Sequence, residues 1–266
     1  MPSMSIISCK IMQDEIIWIL ENDSSIDEII IVDSKNIREF VEKLDKVNLR
    51  YKVLSLEDIS SLAEIRSECK NYTVMIHLME LGLHRSPKEL KIKVYETIKT
   101  LAPFSSGILL FYGLCGNVLG DVEKDFERSS TSCPVRILKD KDHRIVDDCI
   151  GATVGGVNNY LRILKSVSDA GTYLFTPPCT ASWRELLDLN KLNKDPPSKA
   201  LQLMKKTHEM IGYKRVAKIN TGLEYTENFD ASIQEFAELF DFEILEFDDG
   251  NQKIFEDCYN ELKAEL

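Results

Sequence analysis

The sequence predicts an α/β fold: a mostly parallel sheet, or sheets, with helices on both faces. Three observations carry that prediction. Residues 28–33 (EIIIVD) and 107–112 (GILLFY) are continuous apolar runs bounded by turn-forming or charged residues, and such runs read as strands buried on both faces. Other stretches, such as Ile16, Ile17, Ile19 and Leu20, space their apolar residues along one helical face. Strands and helices also alternate in short units from the N-terminus onward, which implies parallel pairing through crossover helices.

Composition bounds how these elements pack. At 266 residues the chain suits one large α/β unit or two lobes with a junction in residues 120–200. Hydrophobic content of 44% beside 29% charged residues is that of a globular chain and argues against wholesale disorder. The net charge of −11 disfavours a polyanionic partner. No basic stripe with interleaved aromatics is present, so no nucleic-acid binding is expected. No apolar run approaches the roughly 20 residues of a membrane span. The opening MPSMSIISCKIMQDE lacks a basic start and turns acidic early, unlike a signal peptide, so the expectation is a cytoplasmic protein without membrane attachment.

Residues 3–11 form a short apolar strand ending at Cys9, and Asp14 and Glu15 open the amphipathic helix that follows. The run 28–33 is the second strand, and Ser34 is placed to cap a helix with Ile37, Phe40, Val41 and Leu44 on one face. Residues 51–54 suggest a third strand, 60–70 a helix, and 72–78 (YTVMIHL) a further strand in which His77 reads as a core histidine with one hydrogen-bond partner. In LGLHRSPKEL, Ser86 with Pro87 and Glu89 has the pattern of a capping box, which puts His84 in a strand-to-helix loop.

The stretch 107–117 (GILLFYGLCGN) is the pivot of the chain. It sets Cys115 just past a central strand, on the edge where open α/β sheets bind ligands. Gly113 and Gly116 allow torsions or close approaches that a side chain forbids, so this loop can bring a thiol and several amide N–H groups to a ligand. An irregular loop then leads to a strand at 135–138. Asp147 or Asp148 caps a helix carrying Ile150, Val154, Val157, Leu161 and Leu164, with Cys149 in its first turn, where unsatisfied N–H groups favour a thiolate. Gly151, Gly155 and Gly156 weaken that helix, and His143 reads as a surface residue. The last third continues the rhythm: strands at 172–175, 215–219 and 242–247, helices starting at Thr180 or Ser182 and spanning 226–239 and 253–262, a turn at Thr221 and Gly222, and a hinge at 195–198 (DPPS). The whole pattern is Rossmann-like.

Seven cysteines (Cys9, Cys69, Cys115, Cys133, Cys149, Cys179 and Cys258) are scattered without a CxxC pair. An odd, dispersed set speaks against a disulfide framework and leaves metal binding, a reactive thiol or plain burial. Any cysteine site has to be assembled by the fold.

The motifs SCKIMQDEI, LGLHRSPKEL, FYGLCGN, DDCIGATVGGVNNY, TYLFTPPCTASW and YKRVAKINTG together resemble the DUF1638 family, over nearly the whole chain. The chain departs from the family's pattern in placing His143 and Arg144 ahead of Ile145, Val146 and Asp147, where an arginine and a histidine usually stand close before the Asp–Cys pair. The resemblance implies a one-carbon context, because members are often encoded beside corrinoid-dependent methylamine methyltransferases, and it implies no defined activity. Among the family motifs, the residues able to bind a soft metal are Cys9, His84, Cys115 and Cys149. Three cysteines and a histidine are an ordinary tetrahedral zinc set, and thiolates equally suit an iron-sulfur cluster or a bound cobalt or nickel species, a corrinoid among them. Gly113, Gly116, Asn117 and Asp148 are the candidate cofactor contacts beside them. The expectation is a metal- or metal-cofactor-binding protein, with a corrinoid protein or methyltransferase as partner. The alternatives are a protein that binds a small-molecule ligand or corrinoid without catalysis, and a metal-free reactive-thiol enzyme.

Overall fold

The computed structural model describes residues 3–65, 72–129, 133–187, 189 and 199–266. Its strands are β1 (Ser3–Cys9), β2 (Glu28–Val32), β3 (Lys52–Leu54), β4 (Thr73–Met79), β5 (Gly107–Phe111), β6 (Val135–Ile137), β7 (Gly171–Phe175), β8 (Tyr213–Ile219) and β9 (Glu243–Phe247). Its helices are α1 (Gln13–Asn22), α2 (Arg38–Lys46), α3 (Leu56–Ile65), α4 (Pro87–Leu101), α5 (Val122–Arg128), α6 (Cys149–Thr153), α7 (Val157–Ser166), α8 (Pro177–Ala181), α9 (Trp183–Leu186), α10 (Lys199–Ile211), α11 (Phe229–Phe240) and α12 (Lys253–Glu265).

The strands form two sheets, both parallel throughout. The larger runs β3-β2-β4-β1-β5-β6 and the smaller β7-β8-β9. β1 is central: Ile6 stands opposite Ile76 of β4 on one side and Leu109 of β5 on the other. Every residue of β5 is buried, as its uninterrupted apolar run requires. One face of the larger sheet packs on Ile16 and Ile17 of α1, Phe40 and Leu44 of α2, and Phe255 and Leu262 of α12. The opposite face packs on Ile59 of α3, Val94 and Ile98 of α4, and Val122 and Phe126 of α5. The helix after β1 thus leaves across one face, while the helices after β4 and β5 leave across the other. A crevice opens outside the strand ends where neighbouring connections part in this way. A third core, with Trp183, Val216, Ile219, Phe236 and Phe240, holds the smaller sheet. The architecture is Rossmann-like α/β, and among the described residues no helix is long and apolar enough to cross a membrane.

Several local expectations change. The single helix expected after Asp148 is two, α6 and α7, broken where Gly155 (φ 83°) and Gly156 (φ 109°) turn left-handed. A Cβ on Gly156 would lie 2.7 Å from the Asp140 Cβ, and Val154 bridges to Asn251, so tertiary contacts fix the break. Ser34 does not cap α2. Its hydroxyl accepts from Asn36 N–H at 3.4 Å, a local turn, and the helix starts at Arg38. Ser86 and Pro87 do begin α4, but the Ser86 side chain makes no cap bond. The helix expected at 60–70 starts earlier, at Leu56, where the Ser55 hydroxyl accepts from Asp58 N–H at 3.1 Å and the Asp58 carboxylate accepts from Ser55 N–H at 3.3 Å. Residues 66–70, Cys69 and the hinge at 195–198 lie outside the described residues. α5 falls in the loop expected to be irregular, and α10 fills a stretch given no element.

Candidate functional site

The loop after β5 is shaped by the segment that leads into α6. A Cβ on Gly113 would stand 2.4 Å from the Val146 carbonyl oxygen and 2.9 Å from the backbone of Asp147 and Asp148, so only glycine fits. Two backbone bonds hold the segments together: Leu114 N–H donates to Val146 O at 2.8 Å and Cys115 N–H to Asp147 O at 3.0 Å. The GLC and DDC motifs are thereby fastened side by side. Cys115 (φ 45°), Gly116 (φ 76°) and Asn117 (φ 63°) are left-handed in succession, a conformation that costs a non-glycine residue about 1 kcal/mol and persists where surrounding contacts enforce it.

Each of the other strand ends brings one donor. Cys9 closes β1 and enters a short 3-10 turn. His84 lies in the 3-10 turn after β4, and its Nδ1 is 2.7 Å from the Leu81 carbonyl oxygen. A carbonyl only accepts, so Nδ1 carries the hydrogen and Nε2 keeps a free lone pair. Asp148 caps α6, accepting from Gly151 N–H at 2.8 Å and from the Tyr160 hydroxyl at 2.9 Å, and Cys149 follows it. From the smaller sheet, β7 ends in TPP and Cys179 sits in α8. A cavity of about 420 Å³ lies among these ends, with Cys9, His84, Cys115, Gly116, Asp148, Cys149 and Cys179 in its wall beside mostly apolar neighbours.

The thiols feel one another. Burial pushes Cys9 up to about 12, and the nearby Cys115 and Cys179 add to the effect. Burial likewise raises Cys115 to about 11, with the Asp148 carboxylate contributing. Cys149 is raised well above the ordinary thiol range and Cys179 is lowered, each chiefly by the other's thiol close by. The expectation that the first helical turn favours a thiolate at Cys149 is therefore reversed. α6 has only five residues, and the Cys179 side chain, burial and the Asp148 carboxylate all act against a negative charge on Cys149. The Tyr112 hydroxyl, buried among Cys9, Cys115 and Cys149, is held far above its usual range.

Of the expected site residues, Cys9, His84, Cys115, Cys149, Gly116 and Asp148 share the cavity wall. Gly113 lies behind it, packed on Val146–Asp148 backbone, and Asn117 is an exposed turn residue outside it. His143, also left-handed (φ 57°), lines a different cavity beside α12. His77, expected to be a core histidine with one hydrogen-bond partner, is half-buried in β4, and its Nδ1 is buried without a partner among the described residues. Cys258 bonds the backbone of Lys139, and Cys133 lies 3.9 Å from Ala102 O, both away from the cavity. Sequence reasoning missed Cys179, although the same rule applied: a strand, a proline-started helix and a cysteine just beyond. Among the described residues no three His, Cys, Asp or Glu side chains stand together closely enough to hold a metal ion as they are.

A family model described as Protein of unknown function (DUF1638) matches residues 78–259, a span that includes His84, Cys115, Cys149 and Cys179 and leaves out Cys9. No curated protein and no solved structure matches the chain.

Proposed function

We propose that this chain, which belongs to the DUF1638 family, binds a soft metal ion, zinc first, through cysteine thiolates in the cavity between its two sheets. The observation that carries the reading is the meeting of four cysteines and a histidine in one wall, brought there by β1, β4, β5 and β7 and by the segment before α6. Two features support it. His84 donates Nδ1–H to a backbone carbonyl, the outer bond that metal-ligating histidines make, and leaves Nε2 for a ligand bond. The thiols of Cys9 and Cys115 are raised because burial of their negative charge outweighs the one backbone hydrogen bond each has, from Ile11 and from Gly113, and a bound cation would supply the missing offset. Ligand atoms on one tetrahedral metal lie within about 4 Å of one another, so the side chains must rotate inward on binding. An iron-sulfur cluster would need four thiolates, which the wall offers only when Cys179 joins Cys9, Cys115 and Cys149.

A zinc ion held by thiolates keeps a sulfur nucleophilic at neutral pH, the chemistry needed to take up or pass on a methyl group. A corrinoid with its nucleotide tail is far larger than a cavity of about 420 Å³, so in this reading the corrinoid stays on a partner, a corrinoid protein or methyltransferase. Protein purified without air is expected to carry close to one equivalent of zinc, lost in Cys115→Ser and Cys149→Ser variants that keep their circular dichroism. No bound metal after anaerobic zinc loading and desalting overturns the proposal. That outcome favours a second reading, binding of a small apolar molecule. Its support is the largely aliphatic and aromatic lining, from Ile11, Leu83 and Leu90 to Tyr173 and Phe175, and a volume in the usual range for small-molecule sites.

A further inference from the structure

A single metal ion fills only a small part of a cavity of about 420 Å³. The cysteines and His84 take up part of its wall, and much of the rest is bounded by apolar side chains such as Ile11, Leu83, Leu90, Phe175 and Leu186. A closed structural site fills all four zinc positions from the protein, whereas a site that receives a molecule keeps one position open. Apolar room beside the donors is what an open position needs.

Charge narrows what can enter that room. The acidic side chains of the wall are Glu80 and Asp148, and no lysine or arginine lines it among the described residues. Two cations stand next in sequence to donors, Lys10 after Cys9 and Arg85 after His84, yet neither reaches the wall. Both turn to Glu185 of α9 instead: Lys10 Nζ lies 3.3 Å from its carboxylate, and an Arg85 N–H donates to its backbone carbonyl at 3.1 Å. Lys10 also meets the Glu39 carboxylate at 3.4 Å. The residue after Glu185, Leu186, does line the cavity. An anionic group that enters such a space loses its hydration and meets carboxylates in place of a cation.

We propose that the cavity admits a short-chain uncharged thiol and excludes thiols that carry a sulfonate, carboxylate or phosphate. The thiol's sulfur takes the open position on the metal, and its carbon chain lies against the apolar wall; this substrate class rests on the metal reading. Sulfur is the donor because a metal held by thiolates favours soft ligands. On binding, the S–H bond breaks, its proton goes to solvent and the sulfur's electron pair forms the bond to the metal, so nothing is oxidised or reduced.

The test uses full-length protein loaded anaerobically with cobalt(II), desalted, and titrated with propanethiol or with mercaptopropanesulfonate, which has the same chain and an anionic end. Propanethiol is expected to change the visible bands of the bound cobalt and to half-saturate at a concentration lower by about tenfold or more. Leu186→Lys, at a half-buried position of the wall, should keep the cobalt and close that gap by supplying the missing cation. Cobalt lost on desalting takes down the metal reading and this class with it. Cobalt retained with a spectrum that propanethiol does not change leaves the metal reading standing and overturns this one, as does equal or tighter binding of the sulfonate. A ratio unchanged in a folded Leu186→Lys protein places the thiol outside this cavity and overturns it too; if that variant does not fold, the two titrations of the unaltered chain decide.

Discussion

At the scale of single residues, Gly113 and Glu15 carry the sharpest consequences. Gly113→Ala would push a methyl into Val146 O at 2.4 Å, and backbone cannot swing aside as a side chain tip does. The expected cost is about 2–4 kcal/mol in denaturant unfolding, with Cys115 and Cys149 pulled out of register; a cost under about 0.5 kcal/mol would show the contact is soft. Glu15 is buried beneath α6, and its Oε2 has no partner among the described residues. The Thr153 hydroxyl is 3.0 Å from Cys149 O and 3.2 Å from Glu15 Oε1. Its one hydrogen is donated to either acceptor, so Thr153 gives a Glu15 carboxylate only a partial offset against burial. Burial accordingly lifts Glu15 to about 8 from 4.5. The folded chain then holds a proton that the unfolded chain releases, so stability is full below pH 4.5 and falls as pH rises toward 8. Glu15→Gln should abolish that slope, read as the change in unfolding free energy between pH 5 and 8, and an unchanged slope would show that Glu15 does not cause it. Nothing local in the sequence signalled this. Glu15 reads as an ordinary acidic residue in the first turn of α1, and only the later arrival of α6 above it removes its water. Cys115 was legible because a strand end and two flanking glycines are local signals.

At the scale of elements, strands were legible to within a residue or two, since a fully buried run such as β5 announces itself. Helix ends and short helices were not. α5 carries only Val122 and Phe126 inward, and its other residues are the polar ones of a loop. α10 shows the physical limit differently: Leu201 and His208 face inward, while Leu203, Met210 and Ile211 are exposed, so no single apolar face stands out. Elements distant in sequence are tied by charge. Lys43 of α2 and Asp14 of α1, both buried, pair at 2.8 Å, and Thr226 from the loop before α11 bonds each of them at 2.7 and 2.8 Å. Lys43→Met leaves Asp14 buried without its cation and should cost about 3–5 kcal/mol. Adding Asp14→Asn should restore much of that loss. If the double variant is no more stable than Lys43→Met alone, the pair is not the source of the cost.

At the scale of the whole molecule, the chain crosses between its sheets more than once, and strand order could not be read because pairing partners are set by topology. After β9 the chain returns to the larger sheet. Asn251 N–H donates to Thr153 O at 2.8 Å, and α12 lays Phe255, Tyr259 and Leu262 on the core beneath β1 and β5, with the Phe255 ring 5.2 Å from that of Phe111. Tyr259 meets Tyr72 at 3.0 Å and Asp23 at 2.7 Å, which pins the helix at its middle. The last element in sequence is thus part of the first core in space, and the cavity depends on it, because α12 backs the strands whose ends carry Cys9 and Cys115. Deleting residues 253–266 should therefore unfold the six-stranded sheet before the smaller one. Hydrogen exchange should show β1 and β5 losing protection while β8, whose core is built from Phe236 and Trp183, keeps it. Protection lost first from β8, or kept throughout, would mean that the larger sheet closes its core without the returning helix.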